Sequence, residues 1–200
     1  MRILMSSAAV VALAGCGGGS VPPLTPTQQF VSYYDSDIAL RETVLRPDTR
    51  TRDDAVPSSG RARFDGVATV TLDTRDHVML LGDARVEVDF ARRAVTGGLT
   101  DFVGRRDGYM GAQPWTGFVT MEGDIDTARA QQLRAGLYGA LFNADDALRI
   151  NTMIDGDFYD AAGRRASGLS MTARGYVRWN NSTIASSRAD GVIVSIVAER

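Results

Sequence analysis

Ala84-Arg85-Val86-Glu87-Val88-Asp89-Phe90 changes character at every step, apolar then charged, and this alternation decides the fold class. Side chains on an extended strand point to opposite faces in turn, so a period of two means one dry face and one wet face. The same reading extends back through Arg61–Leu72, where Ala62, Phe64, Gly66, Ala68, Val70 and Leu72 share a face. Arg63, Asp65, Val67, Thr69 and Thr71 fall on the other. Forward of Phe90, alternating or turn-bounded segments recur at 95–103, 116–125, 148–159, 167–177 and 192–198. Residues 132–142 fit two readings: Leu133, Leu137 and Leu141 suit a helix face, while Leu137, Gly139 and Leu141 suit a strand and the glycines disfavour helix.

About eight strands over some 140 residues, joined by short turns, predict an all-β fold: a single antiparallel up-and-down β-barrel preceded by a flexible N-terminal segment. Gly66, Gly97, Gly139 and Gly168 lie inside strands, where closure needs bends. A β-sandwich is the alternative that the same pattern permits.

Upstream the chain is different. Arg2 and an apolar run from Ile3 to Leu13 lead into Leu13-Ala14-Gly15-Cys16. The run has the length of a signal-peptide core and is too short to span a bilayer as a permanent helix. Small residues before a cysteine resemble the lipobox of bacterial lipoproteins. That resemblance implies a signal peptide over 1–15, cleavage before Cys16, and diacylglycerol on its thiol. Residues 16–55 then form a lipidated N-terminus and spacer: Gly17-Gly18-Gly19-Ser20-Val21-Pro22-Pro23, a possible short helix in 25–45, and a polar loop at 46–60. The barrel domain spans 56–200.

Composition removes most marked enzyme classes. Cys16 and His77 are the only residues of their types, and all 22 basic residues are arginine. A disulfide framework, a multi-thiolate zinc site and a multi-histidine site are excluded, as are a Schiff-base lysine and a P-loop lysine. The formal charge of −2 gives no basic excess for nucleic acid.

Three segments resemble the β-barrel domain of surface lipoproteins related to transferrin-binding protein B and factor H-binding protein. Pro57-Ser58-Ser59-Gly60-Arg61-Ala62-Arg63-Phe64-Asp65-Gly66-Val67-Ala68 is similar to the family's opening strand. Val86-Glu87-Val88-Asp89-Phe90 followed by Val95-Thr96-Gly97 is similar to its Asp-Phe strand and return strand. Gly156-Asp157-Phe158-Tyr159, running on to Gly168, is similar to a late G-x-F-Y-G-P segment, and Ser195-Ile196-Val197-Ala198-Glu199-Arg200 is placed like the last strand. The chain departs from the family at Asp160-Ala161, where Gly-Pro is usual, and at Gly163 and Arg165, where Ala and Glu are usual. The resemblance implies a single-barrel form, display on the outer membrane, and export by a dedicated surface-lipoprotein translocator. Relatives bind host transferrin, complement factor H or haemoglobin through variable loops, which a shared fold does not transfer.

Candidate partner-binding residues are the aromatics Trp115, Tyr109 and Trp179 and the paired arginines Arg105 and Arg106, all placed in or beside turns. Aromatics and arginines dominate protein interfaces, and they also plug barrel ends. Arg92-Arg93 and Arg164-Arg165 are further pairs; clustered at one end, such pairs grip an acidic partner, lipid headgroups or a sulfated glycan. Asp155, Asp157 and Asp160 imitate the start of a calcium loop but lack its glycine and closing glutamate. His77, beside Asp73 and Asp76, has no nucleophile motif to serve. The expectation is therefore a non-catalytic binding module: anchored by lipid to the outer membrane, without cofactor, facing an unidentified protein or glycan ligand and no nucleic acid. A lipocalin-like carrier and a periplasm-facing structural lipoprotein are the alternatives.

Overall fold

The computed structural model describes residues 22–46, 48–72, 77–161, 163–181 and 184–200, with side chains described for all of these except 175–191. Helix α1 (Pro26–Val44) and a single 3-10 turn (Asp53–Ala55) precede the strands. These are β1 (Arg61–Leu72), β2 (Val78–Asp89), β3 (Ala94–Arg106), β4 (Gln113–Pro114), β5 (Thr116–Ile125), β6 (Gln132–Phe142), β7 (Asp146–Tyr159), β8 (Gly168–Asn181) and β9 (Ile184–Glu199). Every long strand pairs antiparallel with its sequence neighbours, and the two-residue β4 lies against the end of β3. The first and last strands also pair, from Asp65 opposite Glu199 to Leu72 opposite Val192. The ring is therefore shut: eight long strands in meander order form the expected barrel, and the sandwich falls away. Closure leaves no free edge on the ring to recruit another chain. Residues 132–142 are strand β6, paired along their whole length with β5 and β7.

The inward row fills the axis. Phe158 sits with its ring centroid 6.0 Å from Phe64 and 5.8 Å from Phe90. Leu72, Leu80, Leu99, Leu133, Leu137, Leu141, Leu148 and Ile154 are also fully buried. Burying each such side chain contributes roughly 1.5–3 kcal/mol, so this row is the main source of stability. Outward positions carry Arg61, Arg63, Asp65, Arg85, Arg134 and Asp155, several in cross-strand ion pairs. Dry inside and charged outside is the inverse of a barrel that spans a membrane on its strands.

Helix α1 begins where its sequence says it should. The Thr25 hydroxyl accepts a hydrogen bond from the Gln28 backbone N–H, the Thr25 N–H donates to Gln28 Oε1 at 2.9 Å, and Pro26 occupies the first turn. The helix lies along the outer wall over β9, β1, β2 and β3. Phe30 packs on Val67, Leu81 and Val103, while Val44 packs on Ala161 and Val197. The chain then crosses beneath the barrel: the Thr51 N–H donates to the Phe158 carbonyl at 2.9 Å, and the Thr51 hydroxyl donates to Asp160 at 2.6 Å. The stretch read as spacer with a possible short helix thus supplies a helix and a strap that are integral to the folded unit.

A polar seam joins helix and wall. Gln29 donates to the Tyr33 hydroxyl at 3.4 Å, and Asp83 is close enough for its charge to bear on the Tyr33 phenol. Burial pushes the Tyr33 phenol from its ordinary 10.0 up to about 12, and burial also raises the Asp83 carboxyl. Because the folded-state phenol holds its proton longer than the unfolded one, its contribution is complete below pH 10 and is lost as pH climbs towards 12. Burial raises the Tyr159 phenol too, so spectrophotometric titration should find more than one late phenol, and Tyr33→Phe should remove the one near 12 together with part of the loss of stability between these pH values. A Tyr33→Phe chain with an unchanged titration would show that another tyrosine holds the late proton.

Candidate functional site

Two ends of the barrel differ. One is covered by the strap and by the 90–93, 126–131 and 160–167 connections; the other, the mouth, is built from the ends of β3, β4 and β6 and the start of β7. Four of the residues singled out from sequence meet there. Arg105, Arg106, Tyr109 and Trp115 line one cleft of about 180 Å³, together with Gln113, Asn143 and Asp146.

Trp115 closes the barrel beneath this cleft. Only 5% of it is exposed, and its backbone N–H donates to the Phe102 carbonyl at 2.8 Å. Its indole fits because residue 104 is glycine: a Cβ there would lie 2.4 Å from the Trp115 Nε1 and 2.4 Å from a Leu80 methyl. Of the two roles open to Trp115, interface anchor and plug, the structure assigns it the plug.

Arg106 reaches the mouth because β3 changes phase. The β2–β3 register shifts between Leu81 and Asp83, and Asp101 takes a positive φ of 54°. Before the shift Val95 and Leu99 face inward; after it Phe102 and Trp115-facing Gly104 do, and Arg106 follows. Its guanidinium donates to Asp146 Oδ2 at 2.5 Å, with side chains only 17% and 2% exposed. Asn143 holds that carboxylate from the other side: its Nδ2 donates to Asp146 Oδ2 at 3.3 Å, and its Oδ1 accepts from the Asp146 and Asp145 backbone at 2.6 and 2.8 Å. Arg106 also stands over the Tyr109 ring, 5.4 Å from its centroid. Nothing in the sequence around Asp145-Asp146 distinguished this buried acid from a turn residue, since its partner lies 40 residues away.

The loop beyond the pair is the exposed part. Arg105 is exposed, Tyr109 is 59% exposed, and Met110 is fully exposed. The same loop touches the helix start, the Ala112 N–H donating to the Thr27 hydroxyl at 3.1 Å. His77, at a positive φ of 35°, borders a neighbouring groove with Phe30, Val31, Tyr34, Met79, Arg105 and Asp107.

Other candidates disperse. Arg92 and Arg93 lie in the turn after β2, and Arg164 and Arg165 between β7 and β8, at the end opposite Arg105 and Arg106. Asp155 pairs with Arg134 at 3.3 Å, Asp157 with Arg50, and Asp160 accepts from Thr51 and the Ala166 N–H, so the three carboxylates serve separate structural contacts. Trp179 is a backbone position on β8 opposite Arg188, and its side chain lies outside those described. Cys16, the residues before it and Asp73–Asp76 also lie outside the described residues.

Compared with known proteins, the chain matches no family model and no curated sequence.

Proposed function

We propose that the chain is a bacterial lipoprotein, tethered to the outer membrane through Cys16, whose barrel is a non-catalytic binding module with the mouth as its contact surface. The tether reading is supported by Leu13-Ala14-Gly15-Cys16 behind an apolar run. The observation that carries the binding-module reading is the packed interior among the described residues: side chains from all eight long strands occupy the axis, so recognition falls to the ends and the outer wall. A carrier needs apolar room of some hundreds of Å³ inside. The resemblance to barrel lipoproteins related to transferrin-binding protein B agrees with this reading, and it implies a protein or glycan partner and a surface translocator.

The anchor is tested in cells fed a labelled fatty acid. The full chain should incorporate label and fractionate with the outer membrane, and Cys16→Ser should do neither. A wild-type chain that stays unlabelled would sink the lipoprotein reading. Protease shaving of intact cells then separates display on the surface from a periplasm-facing role.

A further inference from the structure

The mouth has a nearer partner than any protein in solution. Thr25, the cap of α1, follows Cys16 by nine residues, a span of at most roughly 30 Å when fully extended. The helix starts at the mouth end, because Thr27 is bonded to Ala112 there, and runs away from it to Val44 beside Ala161. A lipid on Cys16 therefore keeps the mouth end, where the helix starts, within roughly 30 Å of the bilayer.

Apolar side chains are left in water at that end, as Phe118, Tyr138 and Met153 are on the outer wall of β5, β6 and β7. Leu24 is 57% exposed, Val31 51% and Tyr34 47%, and with Tyr109 and Met110 they ring the helix start and the 107–112 loop. On the helix, Val31, Tyr34 and Ile38 recur at spacings of three and four, which sets them on one flank beside the buried Phe30 face. Val31 and Tyr34 border a groove that Met79 and His77 also line. Among the described residues its charges are mixed, with Arg105 and Asp107 both lining it, and α1 itself carries Asp35, Asp37 and Glu42 against Arg41.

We infer that this face rests on the bilayer surface, with Met110, Tyr109, Leu24 and Val31 seated in the headgroup interface of neutral phospholipid. Tyrosine is favoured at that depth because its ring is apolar and its hydroxyl stays hydrated. A tether this short keeps the face at high local concentration, so a modest apolar contact suffices for occupancy. The mixed charge means that attraction to anionic lipid is not the driving force. The inference rests on the proposed anchor at Cys16, and it deepens that reading by naming what the mouth touches.

The test supplies the tether artificially, so that failure of docking is separate from failure of lipidation. Residues 16–200 carrying Cys16→Ser and an N-terminal hexahistidine tag are held on vesicles of phosphatidylethanolamine and phosphatidylcholine doped with nickel-chelating lipid. Met110→Cys then provides the only thiol for a polarity-sensitive fluorophore, and Ala128→Cys provides it at the opposite end. The label at 110 should shift to the blue and be quenched several-fold more by a lipid-borne quencher than the label at 128. Leu24→Asp with Val31→Asp, both at exposed positions, should remove most of that difference without altering the melting temperature. Adding anionic lipid or salt should change it little. Equal quenching at the two ends would overturn the inference. So would a blue shift without vesicles: one that grows with protein concentration means a second copy covers the face, and one that does not means the chain's own N-terminal segment does.

Discussion

Gly66→Val is expected to abolish the folded barrel, leaving no cooperative thermal transition, whereas Gly98→Ala should stay within about 0.5 kcal/mol of the wild type. Gly66 lies on β1 opposite Ala84 of β2 and Ala198 of β9, on the seam where the first strand meets the last. A Cβ added there would stand 2.1 Å from the Val197 carbonyl oxygen and 2.5 Å from the Ala198 Cα. Both are backbone atoms, so no rotamer change relieves the clash; one strand has to leave the other. The β1–β9 ladder is what shuts the ring, and without it both strands expose unpaired backbone and the Phe64–Phe158 core opens to water. At Gly98 the nearest atom to an added Cβ is 3.8 Å away, an ordinary contact, and alanine there restricts the unfolded chain slightly. Far-UV circular dichroism with thermal melting separates the two variants. A Gly66→Val chain that melts with the wild type would show that the seam opens by an ångström without cost.

Where one wall of a strand is wet, the sequence is easy to read. Ala84–Phe90 alternates cleanly because Arg85 and Glu87 face solvent while Val86 and Val88 face the axis. Alternation fails where α1 covers the outside. Leu80-Leu81, Val67-Ala68, Phe102-Val103 and Val197-Ala198 are adjacent pairs buried on both faces, one member in the core and the other under or beside the helix. This is why the first half of β2, from Val78 to Asp83, went unread. The same doubled positions are the signal that could have placed the helix, since an outward Val67 among Arg63 and Asp65 needs a cover. Residues 132–142 were ambiguous for a different reason: a spacing of four fits a helix face and every second inward position of a strand equally well.

The mouth was legible in part. Arg105, Arg106, Tyr109 and Trp115 are brought together, because turn-rich sequence next to aromatic and arginine residues does mark barrel ends. Their separate jobs were not legible. Trp115 is a plug only because Gly104, eleven residues earlier, leaves room for its ring. Arg106 points inward only because the register shift near Leu81 and Asp83 moves the far end of β3 by one residue. Both facts are tertiary, and local pattern carries no trace of either.

Arg106→Met is expected to destabilise the barrel by about 3–5 kcal/mol, while Arg106→Met with Asp146→Leu should recover most of that loss. The Asp146 side chain is only 2% exposed on the inward row of β7, and the Arg106 guanidinium pairs with it at 2.5 Å. Removing the guanidinium takes away a close charge that offsets the carboxylate's desolvation in a cleft that Trp115 and Val78 help to line, while the Asn143 contact stays. Replacing both groups with apolar side chains removes the ion together with its counter-ion, and buried pairs treated this way often lose little or gain. Urea unfolding of the wild type, both single variants and the double variant yields the coupling energy directly. A coupling near zero would mean that the pair is dispensable to the fold. The cycle also separates stability from contact at this end. Arg106 steadies the Tyr109 ring, so the double variant should fold yet hold the 107–112 loop less firmly. With the fluorophore on Met110→Cys, its quenching on vesicles should then fall relative to the parent at equal stability. Unchanged quenching would show that Leu24 and Val31 hold the face down without help from the loop.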